Sequence, residues 1–187
     1  MLEANDISIR RGPKMLLDGI SFVVDEGQTL CICGAKGVGK TTLLRTLLGL
    51  APVAAGFVCI DGELLTPLSA PYFRRMMSYV PQRLRLLYGH DRTADFYLQS
   101  EYMGTRWTDL SAAERYLLLL DKAMGQRRPL LLVDEPEEPV GGDCLERVAG
   151  RIGEATRMGT AVVVVSNEPA IMNIANQVYT CQYSNPL

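Results

Sequence analysis

The sequence predicts an α/β fold in which helices cover a mostly parallel sheet, with an antiparallel β unit at the N-terminus. Three observations point to this class. Segments of strand character alternate with helical segments along most of the 187 residues. Two short runs, residues 130–133 and 160–165, are apolar almost throughout, as expected for parallel strands covered on both faces. A glycine-rich loop lies between a strand and a helix at residues 34–39.

The elements of the N-terminal half are predicted from the spacing of apolar residues and from turn residues. Strands are predicted at residues 2–9, 21–24, 29–33, 57–60 and 77–80. Helices are predicted at residues 40–50 and 70–75. The pairs Gly12-Pro13 and Asp61-Gly62 predict turns, the first of which joins the two opening strands.

The C-terminal half alternates helices with the two apolar strands. Helices are predicted at residues 111–124, 143–158 and 169–175. Residues 83–109 show weak periodicity, and a helix at 93–103 is the one element predicted there. With no repeats and no flexible linker, we expect a single domain over residues 1–187.

Composition excludes several classes. No apolar run approaches the about 20 residues that span a bilayer, and the N-terminus lacks the features of a signal peptide, so we expect a cytoplasmic chain. The net charge is −2 and basic residues occur only in short pairs, which argues against an extended nucleic-acid surface. The cysteines show no metal-ligand spacing, and Cys31 and Cys33 on a buried strand favour core packing and a reducing compartment.

The glycine-rich loop matches the phosphate-binding pattern G-x-x-x-x-G-K-[ST] between a strand and a helix. The predicted nucleotide-binding residues are Gly34, Ala35, Lys36, Gly37, Val38, Gly39, Lys40, Thr41 and Thr42. Glycines let backbone N–H groups turn toward phosphate oxygens, and the helix that follows adds its N-terminal partial positive charge. Lys40 reaches the β- and γ-phosphates, and the Thr41 hydroxyl is placed to bind Mg²⁺. The loop therefore predicts a site for ATP and Mg²⁺.

An acid pair follows the apolar strand at residues 130–133. Asp134, at the strand end, is placed to hold the Mg²⁺ water shell opposite Thr41. Glu135 can polarise the attacking water as a general base. The alternative is a strand end with two solvated carboxylates.

Further segments stand in a recognisable order. Gln82 follows a strand, Leu110-Ser111-Ala112-Ala113-Glu114 opens a helix, and Asp134 and Glu135 follow in turn. Together with the P-loop they resemble the ATP-binding cassette (ABC) family, the nucleotide-binding domains of ABC transporters, in a short and partly degenerate form. The resemblance covers nearly the whole chain, from the first strands to the strand at 162–165.

The resemblance implies a P-loop NTPase fold of the ABC type, with a separate transmembrane partner. Gln82 would contact Mg²⁺ and water and couple to that partner, and Glu135 would be the catalytic carboxylate. Two subunits would sandwich two ATP molecules, with the signature helix of one facing the γ-phosphate held by the other. The chain would then sit on the inner face of a membrane through its partner.

The signature segment departs from the family pattern LSGGQ/E. Ala112 and Ala113 replace two glycines and add methyl groups where backbone approaches phosphate. Ser111 with Glu114 three residues later also forms a capping box, and such a helix start is an anion site. A well-capped helix without a ligand is the alternative interpretation.

Other departures bear on activity. The family's switch histidine aligns with Asn167, which can hydrogen-bond a γ-phosphate but cannot carry a proton, and the sole histidine, His90, lies elsewhere. The family's adenine-stacking aromatic aligns with Arg11, whose guanidinium plane either stacks on the base or is solvated. The helical subdomain, residues 83–125, is truncated. The apolar residues left there either form a reduced docking surface for the partner or pack against the core; they are Leu84, Leu86, Leu87, Tyr88, Phe96 and Tyr97.

Two functional hypotheses follow. The first is an ATP-binding subunit that hydrolyses ATP slowly and drives a separate membrane protein, as a homodimer or a heterodimer. The second is a nucleotide-dependent dimerisation module that hydrolyses little ATP and pairs with a competent ABC subunit. A DNA- or ribosome-acting ABC protein and a small-molecule kinase fit less well, because the chain lacks the coiled-coil insertions or tandem cassettes of the first class and the lid of the second.

Overall fold

The computed structural model describes residues 1–82 and 109–183 as two sheets with associated helices. The strands in these ranges are β1 Leu2–Arg11, β2 Lys14–Val24, β3 Thr29–Gly34, β4 Ala55–Ile60, β5 Glu63–Leu64, β6 Met77–Val80, β7 Leu130–Asp134, β8 Ala161–Val165 and β9 Gln177–Cys181. The helices are α1 Lys40–Leu47, α2 Ala70–Phe73, α3 Ala112–Gly125, α4 Glu137–Val140, α5 Gly142–Arg157 and α6 Pro169–Met172. A short 3-10 helix, Arg74–Met76, joins α2 to β6.

The N-terminal unit is an antiparallel sheet with the strand order β2-β1-β4-β5. β1 and β2 form the predicted hairpin around Gly12 and Pro13. β2 begins at Lys14, however, so the prediction that it starts at residue 21 is wrong. The register shifts along β1 and β2 and the left-handed Gly19 (φ 66°) interrupt the alternation on which that prediction rested.

The core sheet has the order β6-β7-β8-β3-β9, and each neighbouring pair is parallel. Successive residues of its inner strands enter two different cores. One core contains α1 and the antiparallel sheet, and it receives Leu30, Ile32, Leu130, Leu132, Val163 and Val165. The other contains α3, α5 and α6, and it receives Cys31, Leu131, Val133, Val162 and Val164. Burial on both faces explains why these strands are apolar at nearly every position.

The parallel arrangement decides where the site forms. The carboxyl ends of parallel strands meet at one edge of a sheet, which is where α/β proteins bind their ligands. The loops after β3, β6, β7 and β8 therefore converge at this edge.

The sequence analysis did not predict three of the described elements, β5, α4 and β9. β9 is an edge strand whose residues are mostly exposed and partly polar, so it lacks a continuous apolar run. β5 has only two residues, and the one-turn helix α4 contains Pro139. Each is positioned by tertiary contacts more than by its own propensity.

Helix α1 ends earlier than predicted, at Leu47 rather than at residue 50. Gly49 adopts a left-handed conformation (φ 65°) and donates its N–H to Thr46 O, while Leu50 N–H donates to Arg45 O. This pair of hydrogen bonds is a Schellman motif, which satisfies the last carbonyls and stops the helix.

Several predictions concern residues outside the described ranges. They concern the helix at 93–103, the sole histidine His90, and the apolar residues Leu84, Leu86, Leu87, Tyr88, Phe96 and Tyr97. Of the helical subdomain at 83–125, the structure describes residues 109–125, which contain helix α3. Within residues 1–82 and 109–183, no helix is long and apolar enough to span a membrane.

Candidate functional site

The P-loop runs from the end of β3 to the start of α1, as predicted. Its glycines Gly34, Gly37 and Gly39 have φ angles of 143°, 83° and 119°, which side chains rarely adopt. A Cβ on Gly34 would lie 2.5 Å from the Cys181 carbonyl oxygen of β9. Glycine is therefore required at Gly34 both for its backbone conformation and for the approach of the neighbouring strand.

Lys40 is the buried cation of this loop. Its side chain is 3% exposed, and the ammonium donates to the carbonyl oxygens of Gly34 at 2.7 Å and Ala35 at 3.2 Å. It also forms an ion pair with Glu135 Oε1 at 3.2 Å. A buried charge requires such partners, and the same three groups hold the ammonium at the loop where phosphate would bind.

Asp134 and Thr41 lie together, as the sequence predicts. The Thr41 hydroxyl donates to Asp134 Oδ1 at 3.2 Å, and the Tyr79 hydroxyl donates to Asp134 Oδ2 at 3.1 Å. Burial raises the pKa of Asp134 to about 6, although these two hydrogen bonds act in the opposite direction. A carboxylate and a hydroxyl are oxygen donors of the kind that Mg²⁺ prefers. These residues therefore fit a magnesium ion that takes its other ligands from water and nucleotide.

Glu135 and Gln82 are also brought together. Gln82 Nε2 donates to Glu135 Oε2, and Glu135 N–H donates to Val165 O at 2.9 Å. Glu135 has a positive φ of 39°, which is uncommon for a residue with a side chain. This conformation turns the carboxylate from β7 toward Lys40, where a general base for γ-phosphate attack would be needed.

Asn167 follows β8 and contacts the P-loop directly. Its Oδ1 accepts a hydrogen bond from Gly34 N–H at 2.9 Å, which leaves the side-chain NH₂ as the donor end of the carboxamide. The backbone N–H of Asn167 donates to Glu137, which also accepts from the buried Ser166 hydroxyl. Burial raises the pKa of Glu137, while these hydrogen bonds lower it. Asn167 is thus beside the P-loop, and its contact with a γ-phosphate stays a prediction.

The signature residues form the predicted capping box at the start of α3. Ser111 Oγ accepts from Glu114 N–H at 3.2 Å, and Glu114 Oε2 accepts from Ser111 N–H at 2.8 Å. Ser111 and Ala112 are exposed, and Ala113 is half-buried. Within residues 1–82 and 109–183, the side-chain hydrogen bonds of Ser111 and Glu114 stay within this turn and do not reach the P-loop.

The outer side of the P-loop carries basic and aromatic residues. The Arg11 guanidinium donates to the Thr42 hydroxyl at 3.4 Å, so Arg11 lies against the P-loop helix while remaining exposed. The Tyr183 hydroxyl donates to Lys36 O at 2.8 Å, and the Lys14 ammonium is 5.8 Å from the centre of the Tyr183 ring. Whether Arg11 stacks on adenine stays a prediction.

Three residues of this site were missed by the sequence interpretation: Tyr79, Glu137 and Tyr183. Tyr79 could not be found from the sequence, because its contact with Asp134 depends on the pairing of β6 with β7. Glu137 lies on α4 and Tyr183 follows the end of β9, and neither of these elements carries a sequence pattern.

Comparison with known proteins decides the family. A statistical model of the family described as ABC transporter matches residues 17–138, which contain the P-loop, Gln82, the signature segment and the acid pair. The chain belongs to this family. It is an ABC-type ATPase, and the resemblance inferred from its motifs is confirmed.

Curated relatives of this ABC protein include both importers and exporters by name. The hemin import ATP-binding protein HmuV of Streptomyces coelicolor is 30% identical over 194 residues, covering 90% of this chain and 69% of the relative. The cytochrome c biogenesis ATP-binding export protein CcmA of Escherichia coli K12 is 27% identical over 192 residues, covering 94% and 92%. An uncharacterised ABC transporter ATP-binding protein of Haemophilus influenzae is 27% identical over 197 residues, covering 90% and 75%.

Solved structures confirm the fold of this ABC protein. An ATP-binding subunit of an ABC transporter superposes with a TM-score of 0.76 at 21% identity, covering 97% of this chain and 86% of the other. The ATP-binding cassette MJ0796, in a dimeric post-hydrolysis state with ADP and phosphate, gives 0.77 at 17% identity, covering 97% and 94%. The predicted α/β fold of the ABC ATPase type is therefore correct.

Proposed function

We propose that this ABC protein binds Mg-ATP at the P-loop, hydrolyses it slowly and thereby drives a separate transmembrane subunit at the inner face of a membrane. Membership of the family makes it an ATP-binding subunit of the transporter type. The observation that carries the proposal is a set of contacts at the P-loop. Glu135 contacts both Lys40 and Gln82, and the neighbouring Asp134 accepts a hydrogen bond from Thr41. Such a set supplies a phosphate cation, metal ligands and a base.

The chemistry follows from these positions. Glu135 would take the proton of a water that attacks the γ-phosphorus in line with the leaving ADP oxygen. Lys40 would donate to the β- and γ-phosphate oxygens, exchanging its contacts with the Gly34 and Ala35 carbonyls for contacts with phosphate. Mg²⁺, held through Thr41 and Asp134, supplies charge neutralisation when bound. Asn167 would donate its NH₂ to the γ-phosphate.

Dimerisation is part of the proposal. The Ser111 end of α3 is exposed and capped, and it does not contact the P-loop of its own chain through the hydrogen bonds described above. A helix start of this kind can bind an anion presented by another subunit. We expect the ATP-bound form to pair with a second cassette, in a homodimer or a heterodimer.

The test is steady-state ATPase activity of the purified chain, with Glu135→Gln as the control variant. Removal of the base should lower kcat at least a hundredfold, as expected for loss of a general base. The same change replaces the carboxylate in the Lys40 ion pair by a neutral amide. Lys40 should then be freer to bind phosphate, so the affinity for Mg-ATP should rise.

Light scattering with and without Mg-ATP completes the test. ATP hydrolysis that depends on Glu135, together with an ATP-induced dimer, supports a homodimeric ATPase that needs no second type of ABC subunit. Turnover that Glu135→Gln leaves intact would contradict the assignment of this residue as the base, and a monomer at saturating Mg-ATP would contradict the homodimer.

A second candidate function is supported by Asn167, which has no titratable group at the position of the family's switch histidine. On this hypothesis the chain is a nucleotide-dependent dimerisation module that pairs with a competent ABC subunit. Asn167→His separates the two. If Asn167→His raises kcat about tenfold or more, the wild type is an ATPase slowed by its asparagine, because a cationic donor stabilises phosphate charge more strongly than an amide. No gain, with tight ATP binding, favours the module.

A further inference from the structure

Glu137 is a third carboxylate after the acid pair, and the phosphate chemistry above does not use it. It lies at the start of α4, and its side chain is half-buried. Oε2 accepts a hydrogen bond from the Ser166 hydroxyl at 3.0 Å, and Oε1 accepts one from the Asn167 backbone N–H at 3.3 Å. One carboxylate thus holds two consecutive residues of the loop after β8.

The loop after β8 is fixed at each of its first three N–H groups. Ser166 N–H donates to Ile32 O at 3.1 Å, and Glu168 N–H donates to Ser166 Oγ at 3.1 Å. Asn167 N–H, between them, depends on Glu137. Ser166 is fully buried, so its hydroxyl requires these partners. Glu137 therefore accepts one of these three N–H groups directly, and it also accepts from the Ser166 hydroxyl that accepts another.

The side chain of Asn167 is oriented by the P-loop. Its Oδ1 accepts from Gly34 N–H at 2.9 Å. Because the carboxamide is planar and bears one acceptor and one NH₂ group, fixing the oxygen also fixes the direction of the NH₂ donor. A continuous series of hydrogen bonds therefore runs from Glu137 through Asn167 to the first glycine of the P-loop.

We propose that Glu137 is the positioning residue that holds the Asn167 carboxamide against Gly34, so that the Asn167 NH₂ donates to the terminal phosphate of bound ATP. The inference rests on the proposed function of this site as an ATPase. Glu137 does not itself contact the nucleotide, and it acts through Asn167. A neutral amide stabilises developing phosphate charge only when its direction is set beforehand, and Glu137 supplies that preorganisation.

A double-mutant cycle tests this route. kcat and KM for ATP are measured for the wild type, Glu137→Ala, Asn167→Ala and the double variant. Each single change should lower kcat about tenfold, the effect of losing one oriented donor, with little change in KM. The double variant should be no slower than Asn167→Ala alone, because the second change removes a contact whose only effect passes through Asn167.

A second measurement reports the geometry without turnover. Amide hydrogen exchange is followed by NMR in the nucleotide-free chain, at the backbone N–H groups of Asn167 and Gly34. Glu137→Ala should reduce the protection of both at least tenfold, since one loses its acceptor and the other loses an ordered partner. Glu138→Ala is the matched control: it removes the neighbouring carboxylate of the same helix, whose ion pair is with the exposed Lys36, and both amides should stay protected.

The outcomes separate the inference from the proposed function. Losses of kcat that multiply in the double variant would overturn the inference, because Glu137 would then act independently of Asn167. Unchanged protection of Gly34 in Glu137→Ala would overturn it as well. If the wild type hydrolyses no ATP, the proposed function fails, and the exchange data alone decide whether Glu137 positions Asn167.

Discussion

At the scale of single residues, Asp134 links burial to the chemistry of the site. It is 1% exposed, and the loss of hydration raises its pKa to about 6 from an ordinary value of 3.8. The Tyr79 and Thr41 hydroxyls donate to its two oxygens and limit that rise. The metal requires the ionised carboxylate, so protons and Mg²⁺ compete for the same group.

The expected result is a pH dependence of Mg-ATP binding with a midpoint near pH 6. Below about pH 6 the carboxylate is protonated and the affinity should fall, approaching tenfold for each pH unit; above that pH it should be constant. Tyr79→Phe removes a hydrogen bond that lowers the pKa of Asp134, so the midpoint should move to higher pH. Isothermal titration calorimetry from about pH 5 to about pH 8 measures the Mg-ATP affinity of the wild type and of Tyr79→Phe.

Asp134→Asn is the control for that titration. It removes the protein carboxylate and leaves the ionisation of the nucleotide's own phosphates. A midpoint that is identical in the wild type and in Tyr79→Phe would show that Asp134 does not govern the pH dependence.

At the scale of elements, α3 is the helix whose first turn has two possible roles. The capping box satisfies N–H groups at the helix start and stabilises the helix in any fold. The resemblance to the ABC signature assigns the same turn to the γ-phosphate of a second subunit. A substitution that preserves the cap but changes its charge separates these roles.

Ser111→Asp retains an acceptor for Glu114 N–H but loses the hydroxyl proton donated to Glu114 Oε2, so the free energy of unfolding should fall by about 0.5 kcal/mol. Its negative charge should repel phosphate, and ATP-induced dimerisation and turnover should fall. Ser111→Ala removes the cap, and unfolding should become easier by about 1 kcal/mol. Urea denaturation measures the free energy of unfolding of both variants. Light scattering measures ATP-induced dimerisation, and an ATPase assay measures turnover. An active, dimeric Ser111→Asp protein would indicate a cap without a ligand.

At the scale of the whole molecule, the P-loop depends on a strand that is distant in sequence. β9 pairs with β3, and Gly34 stands opposite Cys181 at the end of that pairing. The absence of a side chain at Gly34 allows the two backbones to approach. The C-terminal part of the described fold therefore forms one wall of the phosphate loop.

Gly34→Ala should lower the free energy of unfolding by at least about 2 kcal/mol, because its Cβ meets the Cys181 carbonyl and its φ of 143° is strained for alanine. Mg-ATP binding should weaken at the same time. Gly150→Ala is the matched control: that glycine lies within α5, a Cβ there meets nothing within 4 Å, and helix propensity predicts a gain of about 1 kcal/mol. Equal stabilities for the two variants would contradict the close approach of β9.

Much of the candidate site was predictable because its residues belong to segments with strong local patterns. The P-loop glycines, Lys40 and Thr41 lie between a strand and a helix, and Asp134 ends an apolar strand. Such patterns arise from the backbone conformations and from the burial that each segment requires. Glu137 carries no comparable pattern, because its role depends on a loop about thirty residues away that the sequence does not place beside it.

The sequence by itself determined the α/β class, the phosphate loop, the acid pair and the ABC family. These features are encoded locally, in periodicity and in residue spacing. Only the tertiary structure decided the order of strands, the contact of Asn167 with Gly34 and the wall that β9 forms beside the loop. The physical reason is that sheet order and side-chain contacts depend on segments far apart in the chain, whose packing no single stretch of sequence specifies.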